Sequence, residues 1–320
     1  MSKAFQEPSP MPTLMRDPFG REIRSLRLSV TQACDLACAH CHREGQEVSA
    51  EEMTLEEIER VVAVSASLGV RKVKITGGEP LMRKDIVDVV SRISPLVREV
   101  SMTTNGSRLS EMAAALKVAG LARVNVSLHS LDPRTNERMC GVDMTAHVVA
   151  GIKDAVEVGL SPVKVNMVVF RDINHDMIPP MMDFCGRVGA VLQLIEYESD
   201  RDSANTSEFA KKHFSLGPFE QGLAAVSTQT TINELHRRHR YLVPANGTNV
   251  SVEIVRPMHN TEFCANCTRI RVSSDGKLKP CLLDRRGAVD VLGPMRAGAT
   301  DDELRVLFAK AIGSRRPYWS

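Results

Sequence analysis

The stretch SLRLSVTQACDLACAHCHREG, residues 25–45, places three cysteines directly after a strand-like segment. SLRLSV (25–30) reads as a β-strand, and Cys34, Cys38 and Cys41 follow it. The same strand-then-helix order recurs outward from there. TLEEIERVVAVSASLG (54–69) reads as a helix: Thr54 and Glu57 form a capping box, Leu55, Ile58, Val61 and Leu68 share a face, and Gly69 ends it. RKVKIT (71–76) is strand-like and precedes the helical KDIVDVVSRISPL, which Pro95 stops. REVSMT (98–103) precedes LSEMAAALKVAG, ARVNVSL (122–128) precedes a helix over 144–158, PVKVNMVV (162–169) precedes one near 176–187, and VLQLIEY (191–197) follows. Six β-then-α units predict a parallel sheet or an incomplete (β/α)6 barrel.

In such barrels chemistry gathers on the loops after the carboxyl ends of the strands. Cys34 to Cys41 follow the first strand, TGGEP (76–80) the second and TTNG (103–106) the third, while Ser127 closes the fourth and Glu196 ends the sixth. The unusual residues therefore converge on one rim. Beyond residue 200 the regularity fails. ESDRDSANTSEFAKKH reads as a polar loop and INELHRRHRYL as a basic helix, and then come NVSVEIVRPM and IRVSSDGKLKPCLL, the latter a hairpin turned at Asp275-Gly276. The reading divides the chain into an N-terminal tail (1–20), a barrel (21–215) and a C-terminal extension (216–320), with the second boundary falling between 205 and 230.

At 320 residues the chain can bury a sizeable core, and 43% hydrophobic with 25% charged residues is an ordinary globular composition. The net charge of +2 points away from nucleic acid or membrane as a partner, so any strong positive field must be local. The start MSKAFQEPSPMPTLM is polar and broken by proline, unlike a signal peptide or anchor, and no apolar run reaches membrane-spanning length. A cytoplasmic location is expected. There thiols stay reduced, so eight cysteines suggest metal binding rather than disulfides. Cys140 and Cys185 stand outside the clusters and read as core thiols.

A second triplet lies in FCANCTRIRVSSDGKLKPCL: Cys264, Cys267 and, further on, Cys281. A closed zinc site wants four ligands as two short pairs. Three thiolates can instead hold three irons of a cubane cluster and leave the fourth iron open. Zinc with His40 or His42 as fourth ligand, and unrelated buried cysteines, remain alternatives. His236 and His239 are spaced for a metal but show no third ligand.

C-x3-C-x2-C after a first barrel strand, with TGGEP downstream, resembles the radical S-adenosylmethionine superfamily. C-x2-C-x13-C after such a barrel is similar to the GTP 3′,8-cyclase family of molybdenum-cofactor biosynthesis, a likeness running from about Arg21 to Leu283. The resemblance implies two four-iron four-sulfur clusters, on Cys34, Cys38 and Cys41 and on Cys264, Cys267 and Cys281. It implies S-adenosylmethionine contacts at His40, Gly78, Ser127 and Glu198, and GTP contacts at Arg27, Lys74, Thr103, Lys164 and the Arg269, Ile270 and Arg271 of CTRIR. In the implied reaction, cleaved S-adenosylmethionine yields a radical that takes hydrogen from C3′ of the ribose, and that carbon adds to C8 of guanine. Implied partners are a flavodoxin- or ferredoxin-like reductant and the next pathway enzyme, a cyclic pyranopterin monophosphate synthase; a homodimer is compatible with the sequence. A peptide-modifying radical enzyme and a non-catalytic zinc module are the rival readings.

Some positions depart from the family pattern. Thr268 replaces an asparagine, Glu198 a methionine and His40 a common aromatic residue. The chain ends SRRPYWS rather than in the family's Gly-Gly, and its bulk predicts a tail that is dispensable for turnover.

Overall fold

The computed structural model describes residues 15–284 and 286–319, so most of the expected N-terminal tail lies outside the described residues. Six strands alternate with helices: β1 (Ser25–Ser29), α1 (Leu55–Ser67), β2 (Lys72–Thr76), α2 (Ile86–Ile93), β3 (Glu99–Thr104), α3 (Leu109–Val118), β4 (Arg123–Ser127), α4 (Pro133–Cys140), α5 (Thr145–Glu157), β5 (Lys164–Val169), α6 (Ile178–Val188) and β6 (Val191–Glu196). Then come α7 (Ser207–Lys212), α8 (Gly217–Val226), β7 (Gln229–Asn233), β8 (Arg238–Ala245), β9 (Thr248–Val255), α9 (Thr261–Ala265), β10 (Arg269–Val272), β11 (Lys277–Lys279), β12 (Val289–Asp290), α10 (Leu292–Arg296) and α11 (Asp301–Gly313).

The strands form one sheet in the order β12-β11-β10-β1-β2-β3-β4-β5-β6-β9-β8-β7. β1 to β6 are parallel neighbours, as expected from the β-then-α repeat. The C-terminal region adds a parallel strand to each side, β10 beside β1 and β9 beside β6. Among the described residues the edge strands β12 and β7 are not paired with each other.

Strands of a parallel sheet covered on both faces usually read as continuous apolar runs. Here they alternate. Leu26, Leu28, Val73, Ile75, Met102, Val126, Val165, Leu192, Val252 and Ile270 are fully buried and share one core with Ile58 and Val61 of α1 and Val89 of α2. The opposite face is polar, and the register lines it up in rows. Arg271, Arg27, Lys74, Ser101 and Arg123 lie side by side across β10, β1, β2, β3 and β4. Ser127, Asn166, Gln193, Glu253 and Arg240 do the same across β4, β5, β6, β9 and β8. A polar inner face is the structural condition for a binding site inside the sheet's curve.

Local signals held where they were strong. The capping box forms, with the Glu57 N–H donating to Thr54 Oγ1 at 3.2 Å and the Thr54 N–H to Glu57 Oε2 at 2.7 Å. The hairpin at Asp275-Gly276 also forms, with Gly276 at φ +71° and β10 antiparallel to β11. INELHRRHRYL, expected as a helix, is the end of β7, a turn and the start of β8. His236 and Arg237 take φ of 65° and 52°, which no α-helix accommodates. Pairing with β9 satisfies the β8 backbone and buries Tyr241 and Val243, a long-range gain that overrides local helix propensity. ESDRDSANTSEFAKKH, expected as a loop, contains α7, and α4 was not expected at all.

Candidate active site

The first cysteine loop leaves β1 and is fastened to its neighbours. Ala37 N donates to Cys140 O at 2.9 Å and Ala39 N to Met139 O at 3.1 Å, so the end of α4 props the loop. Cys34 and Cys41 are exposed and Cys38 is half-buried. Cys38 and Cys140 are hydrogen-bonded to each other, which pushes the Cys38 thiol up, with burial adding to it. Asp35, inside the loop, accepts from Asn105 Nδ2 at 2.6 Å and Ser107 Oγ at 2.7 Å. Glu79 of TGGEP accepts from Thr104 Oγ1 at 2.7 Å, Asn105 N at 2.6 Å and Leu81 N at 2.9 Å, and burial raises its pKa to about 7. The loops after β1, β2 and β3 are thereby tied into one rim.

Gly78 sits where that rim is tightest. Its N–H donates to Thr31 O at 2.8 Å, and a Cβ there would stand 2.3 Å from Ala33 O and 2.5 Å from Gln32 O. Both are backbone atoms, so no side chain can yield. Gly78→Ala is expected to destabilise the chain by about 1–3 kcal/mol. If this rim holds S-adenosylmethionine, as the sequence resemblance implies, the change should also weaken that binding; thermal melting and equilibrium dialysis read the two effects. Unchanged values in both would contradict this packing.

His40 packs edge-on against His129 at 4.7 Å and lies 5.6 Å from Phe170. Burial lowers its pKa to about 4, so it is neutral at pH 7. A cavity of about 240 Å³ opens beside it. His40, Cys41 and His42 line one side, Leu282 and Leu283 another, and Tyr197 and Asp200 also face it. Cys41 belongs to the first cysteine set and Leu282 directly follows Cys281, so segments carrying both sets reach this cavity.

The polar rows carry most of the expected GTP residues. Arg27 Nη2 and Arg271 Nη1 flank Glu44 at 2.8 Å and 2.6 Å. Lys74 Nζ donates to Asn125 Oδ1 at 2.6 Å, and Thr103 is the register partner of that asparagine. Lys164 pairs with Glu253 at 2.5 Å. Two cations that sequence reading missed share the same carboxylate: Arg238 at 2.8 Å and Arg240 at 3.2 Å. Both belong to the stretch read as a solvated basic helix. The signal available for them was the period-two alternation of RHRYLVPA. Cation outnumbers acid here, and the charges act on one another. Burial, then Arg123, Arg27, Arg269 and Lys164, hold Lys74 well below the usual lysine range. Burial, then Arg27 and Arg271, lower Arg269 to about 9. Half-buried cations that depress one another in this way are poised for a polyanion.

Ser127 ends β4 opposite Asn166. Glu198 lies where His42, Arg271 and Arg27 act on its carboxyl, but burial prevails and raises its pKa. Ile270 differs from its neighbours: its side chain is buried in the core, so only its backbone faces the site.

The second cysteine set is built on α9, whose N-cap Asn260 accepts from Phe263 N at 2.9 Å. Cys264, Cys267 and Cys281 are half-buried. Burial opposes ionisation of Cys267, but Arg315, Arg269 and Arg21 outweigh it and lower its pKa. Among the described residues no three His, Cys, Asp or Glu side chains converge closely enough to form a metal cage. The donor chemistry nevertheless suits iron–sulfur clusters, because soft thiols come in threes. At the second set the buried N–H donors Arg21 Nη2, Arg315 Nε and Trp319 Nε1 have no partner among the described residues, which fits an anionic, acceptor-rich group. His236 stacks on Phe263 at 3.7 Å while His239 meets Glu220 at 3.2 Å, so the two histidines do not act as a metal pair.

Residues 28–185 match the family described as the Radical SAM superfamily, and residues 190–320 match Molybdenum Cofactor Synthesis C. A protein of Thermococcus kodakarensis named "Probable GTP 3′,8-cyclase" is 50% identical over 307 residues, which cover 96% of this chain and 100% of the relative. Proteins of the same name from Pyrococcus abyssi (47%, 96% of this chain, 100% of the relative) and Methanocaldococcus jannaschii (41%, 95% and 99%) are also similar. Among solved structures, Streptococcus suis SuiB bound to S-adenosylmethionine aligns with a TM-score of 0.61 at 17% identity, over 93% of this chain and 77% of that one. At that identity the likeness speaks for the fold alone. The sequence relatives speak for more: this chain belongs to the GTP 3′,8-cyclase family within the radical S-adenosylmethionine superfamily.

Proposed function

We propose that this chain converts GTP to 3′,8-cyclo-7,8-dihydro-GTP in molybdenum-cofactor biosynthesis, using S-adenosylmethionine and two four-iron four-sulfur clusters. The observation that supports this most is the excess of buried and half-buried cations on the polar face of the sheet, in a chain that also carries a radical-enzyme cysteine loop and a second cysteine set. A triphosphate needs such a lining, and arginine offers it bidentate hydrogen bonds.

Cys34, Cys38 and Cys41 would hold the first cluster, with His40, Gly78, Ser127 and Glu198 around S-adenosylmethionine. When bound, that pair supplies hydrogen-atom abstraction from a ribose carbon. Cys264, Cys267 and Cys281 would hold the second cluster. Arg27, Lys74, Thr103, Lys164, Arg269, the backbone of Ile270 and Arg271 would bind GTP, and Arg238 joins them. Residues 21–215 thus contribute the radical chemistry, and residues 216–320 the second cluster and part of the substrate site. An electron-donating protein of the flavodoxin or ferredoxin kind and an enzyme that consumes the cyclised nucleotide complete the proposed setting, in the cytoplasm. No helix among the described residues is long and apolar enough to cross a membrane.

The hydrogen atom lost from C3′ stays in 5′-deoxyadenosine, and one electron from the reductant with one proton from water completes the cyclised product, which is therefore an isomer of GTP. Anaerobic incubation of the reconstituted chain with S-adenosylmethionine, reductant and GTP should yield that isomer together with 5′-deoxyadenosine. 5′-Deoxyadenosine with GTP untouched would point to another substrate.

Lys164 adds a pH dependence. Burial lowers its pKa to about 8, against the pull of Glu253. Below that value the lysine is charged and attracts the triphosphate; above it the charge is lost. The kcat/KM for GTP should therefore fall as pH rises through about 8, since that ratio reports the free enzyme's groups. In Lys164→Arg the fall should disappear, because arginine stays charged. A wild-type profile flat to pH 9 would contradict the assignment.

A further inference from the structure

The tail SRRPYWS, expected from its bulk to be dispensable for turnover, is packed into the described structure. Arg315 is 1% exposed, and Trp319 is buried as well. Arg315 Nη1 pairs with Asp17 Oδ2 at 2.6 Å, across almost the whole length of the chain. The same oxygen takes Arg21 Nε at 2.6 Å, while Asp17 Oδ1 accepts from the backbone N–H groups of Phe19 and Arg21 at 2.9 Å and 3.0 Å. Each arginine then reaches the second cysteine set: Arg21 Nη1 donates to Cys264 O at 2.9 Å and Arg315 Nη2 to Cys267 O at 2.8 Å. Trp319 N lies 3.4 Å from Cys264 Sγ, and its ring rests on His259 at 4.4 Å. Arg201, next to Asp200 in the cavity wall, also holds the tail, with its guanidinium 4.9 Å from the Tyr318 ring and its backbone N–H donating to Tyr318 Oη at 3.1 Å.

We propose that Asp17, Arg21, Arg315 and Trp319 are positioning residues for the second cluster, so that the C-terminal tail of this chain is a working part of the substrate site. The inference rests on the reading that Cys264, Cys267 and Cys281 hold a cluster. One carboxylate sets two guanidinium groups, and these fix the carbonyls of both knuckle cysteines. After those bonds each arginine retains a buried N–H without a partner among the described residues, and so does the indole of Trp319. A sulfur-rich anion meets that need. With two cations and one carboxylate, the assembly leaves one positive charge beside it, which favours the more reduced, more negative form of the cluster.

The test uses the full chain, reconstituted anaerobically, as wild type, Arg315→Met, Arg315→Lys and Trp319→Phe. Wild type should carry about eight irons per chain, two four-iron clusters, with one electron-paramagnetic-resonance signal that responds to GTP. Trp319→Phe keeps a ring and removes one N–H. Its iron should stay near the wild-type value while the midpoint potential of the GTP-responsive cluster moves to more negative values and the other cluster's does not. Arg315→Met should lose at least half of the GTP-responsive signal yet still release 5′-deoxyadenosine, and Arg315→Lys should restore part of it. An unchanged potential in Trp319→Phe, with full second-cluster occupancy in Arg315→Met, overturns the proposal. If Arg315→Met fails to fold, the potential of Trp319→Phe decides by itself. A wild type with only about four irons would instead remove the two-cluster reading.

Discussion

Replacing Cys34, Cys38 or Cys41 with alanine is expected to abolish 5′-deoxyadenosine formation, whereas replacing Cys264, Cys267 or Cys281 should abolish GTP cyclisation and leave residual cleavage of S-adenosylmethionine. The asymmetry follows from placement. The first set lies on the loop after β1, tied through Asp35, Asn105 and Glu79 to the rim that carries Gly78. The second set lies on a different segment, where Arg269 acts on Cys267 and Leu282, next to Cys281, lines the cavity of about 240 Å³ that Cys41 also lines. Loss of one cysteine should remove one cluster, taking iron from about eight to about four per chain. Activity losses should reach several orders of magnitude, since no other group supplies the missing chemistry. Iron near eight in both sets of variants, or equal loss of 5′-deoxyadenosine from both, would break the division of labour.

Glu253→Gln should be the most destabilising single change on the inner face. Glu253 is fully buried beneath Lys164, Arg238 and Arg240. Removing one partner from a buried ionic cluster typically costs about 3–5 kcal/mol, because the remaining charges lose compensation. For a chain of this size that lowers the melting temperature by roughly 5–10 °C. GTP should raise the melting temperature of the variant by more than it raises that of wild type, because the triphosphate then meets an uncompensated positive cluster. The pH dependence has a defined sign. Burial works to raise the Glu253 pKa, but Arg238, Lys164 and Arg240 prevail and lower it to about 2. A carboxylate depressed in the folded state contributes stability above its unfolded value of about 4.5 that is lost as pH falls toward 2. Wild type should show that acid loss and Glu253→Gln should not. Equal melting temperatures for the two proteins, with equal shifts on GTP, would contradict the assignment.

What could be read in the sequence was what is encoded locally. The six β-then-α units, the Thr54–Glu57 capping box and the Asp275-Gly276 turn each depend on residues a few positions apart. The cysteine triplets and the basic CTRIR stretch were legible for the same reason. β7 and β8 were not, because their strand character comes from pairing, β8 with β9 and β7 with β8, rather than from their own propensity. Arg238 was lost with them: its function depends on sharing Glu253 with Lys164, and that carboxylate lies far along the chain from the lysine. Asp17 could not be singled out either, since its significance lies in Arg315. Ile270 shows the converse limit. A motif placed it in the substrate site, and the alternation of β10 turns its side chain into the core.

The most direct test of the account is the fate of one hydrogen. GTP deuterated at C3′ is incubated anaerobically with the reconstituted chain, S-adenosylmethionine and reductant, and the 5′-deoxyadenosine is weighed by mass spectrometry. The account predicts 5′-deoxyadenosine carrying the deuterium, formed alongside a cyclised isomer of GTP that has lost it. Unlabelled 5′-deoxyadenosine, with the deuterium still in GTP, would contradict it.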